Sequence, residues 1–255
     1  MREPEGIRPL LEIDRVWSLY ALGDLAPDML PLCEWPRSAS DPRSFALIYR
    51  GAKVPVVQAF GEGPALEELL ARLFGESRRV FFVVRPEMLD AVRRAYPQVD
   101  PHPMSRMTLP VDAALPPRSP DVVRLGPADL EAVRALHADG ADSGELPPFF
   151  APDMLERGVY CGVWEGPELI ASAGTHIVSK AESLAAIGNV YTRRDHRGRG
   201  LAARTTAEVT RELRTLGLRT VGLNVNRHNP AAARVYRKLG FEARLEYFEG
   251  PAWRD

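Results

Sequence analysis

The sequence has little of three features that mark particular classes of protein: cysteine, an excess of one charge, and long apolar runs. It contains 2 cysteines, Cys33 and Cys161, which are too far apart in sequence to form a metal-ligand motif. The formal net charge is -1, so no whole-molecule attraction to nucleic acid or to an anionic membrane is expected. No apolar stretch approaches the ~18–20 residues of a membrane span. Residues 1–16 mix acids, bases and prolines where a signal peptide would need an apolar run. These scarcities predict a reduced, cytoplasmic protein with structural thiols and no metal site.

What the sequence does contain is typical of a folded protein with more than one domain. Hydrophobic residues make up 45% and charged residues 26% of the 255 positions, which is ordinary globular composition. That length exceeds the usual size of one compact domain. Residues 109–121 include four prolines, which remove backbone donors and discourage helix, so this stretch is predicted to be a linker. We therefore predict two domains, residues 1–115 and 116–255.

Hydrophobic periodicity predicts the same succession of elements in both halves. In the first half, helices are expected around 10–20, 24–32, 64–74 and 86–96, and strands at 45–49, 54–60, 80–84 and 104–109. In the second half, strands are expected at 122–125, 160–164, 169–178, 185–192, 220–225 and from 241, and helices at 129–137, 201–216 and 230–239. Each half therefore has two strands, a glycine-containing turn, a helix, a strand, a helix and a strand. This order favours an old duplication and an α/β fold with a mixed sheet in each domain.

The most informative segment is a glycine-bearing turn between a strand and a helix, residues 189–202. The strand ends near Thr192 and the amphipathic helix begins at Leu201. The first turn of a helix leaves backbone N–H groups unpaired and carries partial positive charge. Gly198 and Gly200 let a phosphate approach those amides closely, and Arg197 and Arg199 add charge-assisted donors. On physical grounds this is a diphosphate cradle.

A second motif follows after one more strand. Asn229 suits the N-cap of a helix, Pro230 its first position and Gly240 its end. These three roles are structural. Tyr236 is different, because helical spacing turns this phenol toward the protein body, where it needs a polar partner.

Together the two motifs resemble a known family. Over roughly residues 122–248, the chain looks like the acyl-CoA-binding core of the GNAT superfamily of N-acetyltransferases. The matching order is a strand, the motif Arg197-x-x-Gly200-x-Ala202, a helix, a strand and the motif Asn229-x6-Tyr236-x3-Gly240-Phe241. The Val-Tyr-Thr end of the strand and the degenerate first half also resemble the branch that includes glycine N-acyltransferase. The resemblance implies two GNAT-like mixed-sheet domains, of which only the C-terminal one carries the acyl-CoA site.

The resemblance also implies roles for matching positions. Asn229 would contact the cofactor arm, and Tyr236 would protonate the departing thiolate of acetyl-CoA or of a longer acyl-CoA. Backbone groups on the strand would pair with the pantetheine arm: Val190, Tyr191 and Thr192. The amides that would hold the diphosphate, beside Arg197 at the basic position, are those of Gly198, Arg199, Gly200, Leu201, Ala202 and Ala203.

One position departs from the family pattern and leaves the general base open. Many members have a glutamate five residues before the asparagine, and here that residue is Asn224. Glu182, His176 and His228 are the candidate bases, with a water relay as a further alternative. An α-amine, with a reference pKa of ~7.7–8, needs less help than a lysine at ~10.4, which favours a small α-amino acceptor. A peptide amine and a homodimer are also left open.

Two other functions remain alternatives. The missing carboxylate at Asn224 would suit a non-catalytic acyl-CoA-binding sensor or scaffold. A structural or partner-binding protein would have the same turn without a ligand. In the first half, an acidic turn around Glu62 stands where the cradle would be and would repel a diphosphate, so that half is expected to be structural.

Overall fold

A computed structural model describes residues 5–143, 145 and 149–255, and the chain divides into two compact units. Unit 1 contains the residues up to Arg106 together with Val225–His228 and Ala243–Asp255, and unit 2 contains Met107–Asn224 and Asn229–Glu242. The helices are α1 (Ile7–Ile13), α2 (Leu19–Gly23), α3 (Gly63–Gly75), α4 (Leu89–Ala95), α5 (Leu130–Ala138), α6 (Met154–Arg157), α7 (Leu201–Thr215) and α8 (Pro230–Lys238). The strands are β1 (Cys33–Glu34), β2 (Phe45–Tyr49), β3 (Val56–Phe60), β4 (Arg79–Val84), β5 (Gln98–Val99), β6 (His102–Leu109), β7 (Val122–Leu125), β8 (Tyr160–Glu165), β9 (Glu168–Ser179), β10 (Leu184–Thr192), β11 (Thr220–Asn226) and β12 (Glu242–Trp253).

Unit 1 is a mixed sheet with helices packed on it. Its strands lie in the order β1-β2-β3-β4-β12-β6, with the short β5 paired to β12. The core forms where the leucine face of α3 meets the sheet, because four leucines at helical spacing are all buried: Leu66, Leu69, Leu70 and Leu73.

Unit 2 has the strand order β11-β10-β9-β8-β7. Helix α7 follows β10 and packs against β8, β9 and β10. Helix α5 contributes Val133 and Leu136 to a core that also contains Tyr160 and Tyr191. Both cysteines of the chain, one in each unit, are buried free thiols.

The two units share a topology around their central helices. In unit 1, β2 and β3 are antiparallel, and α3 then connects β3 to the parallel strand β4. In unit 2, β9 and β10 are antiparallel, and α7 connects β10 to the parallel strand β11. The order of elements expected from the sequence thus appears with the same strand directions in both units.

The last strand of the chain is not where the sequence-based division at 115/116 places it. β12 groups with unit 1, because it pairs antiparallel with β4 from Phe248 opposite Val84 to Trp253 opposite Arg79. Unit 2 also begins earlier than expected, at Met107. Local hydrophobicity gives no information about which strand another strand pairs with. The pairing of β12 with β4 could therefore not be predicted from the sequence.

The predictions of two helices near the N-terminus are wrong. The helix around 10–20 is interrupted after Ile13, where an Asp14 carboxylate oxygen accepts a hydrogen bond from the Trp17 amide at 2.9 Å. Aspartate stabilises turns in this way at the expense of helix. The helix expected at 24–32 is reduced to a 3-10 turn at Leu30–Leu32, in a segment whose prolines, Pro27 and Pro31, have no N–H to donate.

Within the described part of the chain, none of the helices has both the length and the apolarity needed to cross a membrane. Within the same residues, no cluster of three histidine, cysteine or acidic side chains is arranged to hold a metal ion.

Candidate functional site

The glycine-bearing turn of unit 2 has a backbone shape that requires glycine. Gly198 and Gly200 adopt φ values of +80° and +73°, in the left-handed region that other residues rarely occupy. Gly200 is the N-cap of α7, and among the described residues no side chain caps that end of the helix. A Cβ atom added at either glycine would meet no described atom within 4 Å. The space over the turn is therefore open to a ligand.

The amides of this turn are available for hydrogen bonds. The first internal hydrogen bond at the start of α7 runs from the Arg204 amide to the Gly200 carbonyl at 3.1 Å. Among the residues that the structure describes, none accepts a hydrogen bond from the amides of Gly198 to Ala203. Six consecutive backbone donors at a helix N-terminus are chemically suited to an anion, and the diphosphate site expected from the sequence stays a prediction.

The arginines around the turn are all paired with carboxylates. These pairs are Arg193 with Glu168 and Asp195, Arg194 with Asp139 and Asp142, Arg197 with Glu145, Arg199 with Glu165, and Arg204 with Asp121. Most of these side chains are between a third and two thirds exposed, and exposed ion pairs contribute only ~0–1 kcal/mol each. An incoming diphosphate can therefore exchange with these carboxylates at low cost. The sequence singles out Arg197 and Arg199 but gives no sign of carboxylate partners so distant along the chain.

Arg197 also links the turn to the end of β10. Its Nε donates to the Thr192 carbonyl at 3.3 Å, and its guanidinium lies 5.7 Å from the centre of the Tyr191 ring. Its fork contacts both carboxylate oxygens of Glu145, and this hydrogen bonding holds the pKa of Glu145 below its ordinary value.

Strands β10 and β11 stop pairing several residues before β10 ends. Their parallel register runs from Leu184 opposite Thr220 to Ile187 opposite Leu223 and ends there. Beyond this point β10 continues to Thr192 along β9 alone. Among the described residues, no other strand pairs with that edge of β10, which leaves an opening along its last residues.

The hydrogen bonds between β10 and β9 determine which peptide groups of β10 face that opening. The Arg193 amide donates to the Ile170 carbonyl of β9 at 3.0 Å. Because peptide groups alternate along an antiparallel strand, those of Tyr191 face β9 and those of Thr192 face away from it. The hydroxyl of Thr192 is buried without a hydrogen-bond partner among the described residues.

Helix α8 holds the second motif. The Asn229 side-chain oxygen accepts from the Ala232 amide at 3.0 Å, so Asn229 is the N-cap. Tyr236 is buried on the same helix, with its ring edge-on to Phe241 at 6.2 Å. Burial raises the pKa of Tyr236 to about 12, so the phenol stays protonated at neutral pH.

A hydrogen-bonded group beside the opening was not predicted from the sequence. Two register irregularities occur between β9 and β10, one opposite His176 and one between Gly188 and Tyr191. Asn189 lies in the second with φ at +51°, and its side chain contacts the Tyr160 hydroxyl at 2.8 Å and His176 Nε2 at 3.3 Å. The only sequence signal was the pair of glycines, since Gly188 lies opposite Gly174.

The three candidate bases lie in different places. His176 is half-buried next to Asn189. Glu182 is buried in the turn between β9 and β10. Residues 184–188 of β10 separate it from the irregularity at Asn189 by roughly 15 Å, at ~3.3 Å per residue. His228 is exposed in the turn after β11 and groups with unit 1.

The position of His137 departs from the apolar pattern of its helix. The apolar pattern of α5 puts His137 on the outer side of the helix, yet it is 3% exposed, with Phe150 edge-on to its ring at 5.1 Å. Residues distant in sequence cover that side of α5. Burial lowers the pKa of His137 to about 4, so the ring is neutral in the folded protein.

The neutral His137 predicts a loss of stability in acid. The unfolded chain binds a proton near pH ~6.5 and the folded chain only near about 4, so stability falls as the pH drops through this window. Between pH 8 and pH 5 we expect His137 to account for a loss of about 2 kcal/mol in the free energy of unfolding. Urea titrations of the wild type and of His137→Gln at both pH values measure it. An identical pH dependence in the two proteins would contradict the assignment.

Comparison with known proteins places this site in a family context. Residues 130–241 match the model of the Acetyltransferase (GNAT) family. No curated protein sequence matches the chain. A solved GNAT-family protein from Novosphingobium aromaticivorans DSM 12444 is 24% identical, with a TM-score of 0.66 over 95% of this chain and 100% of its own.

Two further structures resemble the chain over nearly its whole length. A GCN5-related N-acetyltransferase from Kribbella flavida is 16% identical, with a TM-score of 0.60 over 94% of this chain and 95% of its own. A tandem GNAT protein from the clavulanic acid biosynthesis pathway is 15% identical, with a TM-score of 0.59 over 98% of this chain and 96% of its own. At such identities the likeness concerns the fold. The expected mixed α/β fold is confirmed, and the match to the GNAT family model is limited to residues 130–241.

Proposed function

We propose, from the premise that residues 130–241 form a GNAT-family acetyltransferase domain, that this chain transfers an acetyl or short acyl group from acyl-CoA to a primary amine. The observation that supports this most strongly is the run of open amides from Gly198 to Ala203. Backbone donors fixed at a helix N-terminus bind a diphosphate without any rearrangement. The two basic residues expected to assist, Arg197 and Arg199, belong to this turn and form ion pairs with Glu145 and Glu165.

The parting of β10 from β11 suits the pantetheine arm. An extended arm with amide groups can pair with an open strand edge as an added strand would. Thr192 presents its peptide groups to the opening, whereas those of Tyr191 are directed at β9. We therefore assign the pairing to Thr192 and Val190, and give Tyr191 the role of packing its ring under Arg197. Asn229 keeps its side-chain nitrogen for the cofactor while its oxygen caps α8.

Tyr236 is proposed as the general acid. A phenol with a pKa of about 12 is a weak acid, yet burial raises the pKa of thiols as well. Within this protein the buried thiols of Cys33 and Cys161 both have their pKa raised to about 12. A thiolate leaving inside a similar environment has comparable basicity, so the transfer of a proton from Tyr236 is feasible.

The acceptor is proposed to be a small α-amino compound. Asn224 offers no carboxylate to remove a proton, so a weakly basic amine is favoured over a lysine side chain. Binding both reactants before direct attack supplies much of the acceleration, up to ~7–11 kcal/mol in favourable cases.

Unit 1 is proposed to be a GNAT-like repeat that has lost its cofactor site, as in the branch that includes glycine N-acyltransferase. The shared strand directions around α3 and α7 support this view. The turn before α3 has an acidic Glu62 at the N-cap where unit 2 has Gly200. A homodimer remains part of the proposal.

A thiol-release assay tests the function. Acetyl-CoA is incubated with the protein and a panel of amino acids, polyamines, aminoglycosides and peptide amines, and free CoA is measured. We expect amine-dependent release, fastest with an α-amine. Release that no amine accelerates would contradict a transferase.

A non-catalytic acyl-CoA-binding module is the second candidate, favoured by Asn224 in place of a carboxylate. It predicts calorimetric binding of acetyl-CoA without thiol release across the whole panel. The two measurements together separate the candidates.

A further inference from the structure

A pocket of about 390 Å³ lies at the C-terminal end of α7, within unit 2. Its volume is in the range of small-molecule sites, ~300–1,000 Å³. Four of its lining side chains are cations: Arg118, Arg124, Arg157 and Lys180. Among the lining residues that the structure describes, the one carboxylate is that of Glu212. The lining of this basic pocket is therefore strongly positive, although the whole chain has a net charge of -1.

The fold brings these cations together from separate segments of the chain. Arg124 of β7 lies directly opposite Cys161 of β8, so the two side chains share a face of the sheet. Both contact Glu212 of α7, from Arg124 Nη1 at 3.2 Å and from Cys161 Sγ at 3.7 Å. The pocket thus opens beside α7, on the face of the sheet that this helix covers. The remaining cations come from the segment before β7 (Arg118), the end of α6 (Arg157) and the residue after β9 (Lys180).

Two of the four cations are neutralised by carboxylates. Besides its ion pair with Glu212, Arg124 donates from Nη2 to the Gly158 carbonyl at 2.6 Å. Arg157 Nη2 forms an ion pair with the Asp153 carboxylate at 2.6 Å, one helical turn earlier in the chain. These contacts fix Arg124 and Arg157 as parts of the pocket wall.

The other two cations have no carboxylate partner. In the part of the chain that the structure describes, no acidic group lies within ion-pair distance of the side chains of Arg118 and Lys180. Both residues are exposed, and both line the same pocket. Two positive charges in one pocket without a counterion repel each other. The pocket therefore has an excess of two positive charges, which a dianion would neutralise.

The C-terminal end of α7 does not need these cations. Carbonyl groups at such an end have partial negative charge and attract cations. Here the Gly217 amide donates to the Arg214 carbonyl at 2.9 Å, and the Leu218 amide donates to the Leu213 carbonyl at 3.1 Å. This pattern satisfies helix-terminal carbonyl groups within the chain itself. The unpaired cations of the pocket are therefore available to a ligand.

The pocket also has an apolar side. Val159 is 3% exposed and forms part of the wall, whereas Leu216 on the same lining is 41% exposed. An inorganic ion bound by the cations would leave Leu216 in contact with water. A ligand with an apolar body would cover this side chain, and burial of apolar surface would add to its binding.

We propose that the basic pocket binds a small organic phosphate, in which a phosphate monoester is attached to an apolar body. A phosphate monoester carries close to two negative charges at neutral pH on one compact group. Arginine binds its oxygens through the guanidinium fork and lysine binds them as a point charge. Arg118 and Lys180 are assigned to the phosphate, and Leu216 to the apolar body.

The proposed site is separate from the glycine-bearing turn. Glu212 comes 11 residues after Leu201 on α7, so the pocket lies ~16 Å along the helix from the turn. The proposal therefore does not depend on the proposed acyl transfer, and it concerns a second ligand.

Calorimetry with phenyl phosphate tests the proposal, at low ionic strength because salt screens exposed charges. We expect one phenyl phosphate to bind per chain with a dissociation constant below ~1 mM. Lys180→Gln and Arg118→Gln should each weaken this binding at least about tenfold, since each removes a charge-assisted hydrogen bond. Benzoate, with the same ring and a single charge, should bind more weakly than phenyl phosphate, and so should inorganic phosphate, which has no apolar body.

Arg134→Gln is the matched control, because Arg134 is an exposed arginine of α5 in the same unit, outside the lining of the pocket. This variant should bind phenyl phosphate as the wild type does. Urea titrations should show that Lys180→Gln and Arg118→Gln keep the stability of the wild type, so a loss of binding is not a loss of folding.

Four results would overturn the proposal. The wild type fails to bind phenyl phosphate saturably, or Arg134→Gln weakens binding as much as Lys180→Gln does. Phthalate, an aromatic dicarboxylate, binds more tightly than phenyl phosphate, so that the ligand class is wrong. Gly198→Ala loses the binding while Lys180→Gln keeps it, so that the phosphate occupies the turn. None of these results bears on amine-dependent thiol release, so the pocket and the transferase stand or fall separately.

Discussion

A Tyr236→Phe protein is expected to bind acetyl-CoA as the wild type does and to lose about 10²–10⁴ in the rate of acyl transfer. The ring is buried and packs edge-on against Phe241, and phenylalanine preserves both features. The variant lacks only the hydroxyl group. In the wild type this hydroxyl is protonated at neutral pH, because burial raises the pKa of Tyr236 to about 12. Without it the thiolate must leave unprotonated, so the loss falls on the chemical step.

Single-turnover rates with saturating acetyl-CoA and amine measure this step directly. Tyr96→Phe is the matched control, since Tyr96 is another buried tyrosine at the end of a helix, and its hydroxyl donates to the carbonyls of Phe74 and Ser77. That variant should lose stability and keep its rate. If Tyr236→Phe transfers the acyl group at the wild-type rate, Tyr236 is not the acid.

The second large effect is expected at the turn itself. Alanine at position 198 would have to adopt a φ of +80°, which costs ~1–2 kcal/mol for a residue with a Cβ. Relief of that strain moves the amides that follow, and a diphosphate held by several of them is sensitive to their positions. We expect Gly198→Ala to weaken acetyl-CoA binding at least about tenfold, which corresponds to ~1.4 kcal/mol.

The same helix offers a closely matched control. Gly217, just past the C-terminal end of α7, has the same φ of +80°, and a Cβ there also meets no atom within 4 Å in the described part of the chain. Gly217→Ala should lower the free energy of unfolding about as much as Gly198→Ala does and leave the dissociation constant of acetyl-CoA unchanged. Calorimetry and urea titration of both variants separate strain from binding. If both variants bind acetyl-CoA with the same affinity, the turn is not part of the binding site.

The elements that the sequence predicts well have strong local signals. Helix α7 begins at Leu201 as expected because a glycine turn precedes it and an apolar stripe runs along it. Strand β2 has the expected bounds, Phe45–Tyr49, because a short apolar run is flanked by turns. The backbone of the turn before α7 also belongs to this class, since its glycines and the start of the helix are contiguous in sequence. Its role as a diphosphate cradle stays a prediction.

The features that the sequence could not predict depend on contacts between distant residues. His137 looked solvent-facing by periodicity and is buried because Phe150 covers it. β12 joins unit 1 through backbone pairing with β4, which leaves no mark in composition. The carboxylate partner of Arg197 is Glu145, and no spacing rule connects the two. The position of His176 depends on two irregularities in a β-ladder, and these too are invisible in a single sequence.

A crystal structure of the protein with CoA tests the central claim most directly. We predict diphosphate oxygens within hydrogen-bonding distance of the amides between Gly198 and Ala203, with Arg197 turned from Glu145 toward the ligand. A diphosphate bound elsewhere, with these amides still facing solvent, would contradict the proposed site.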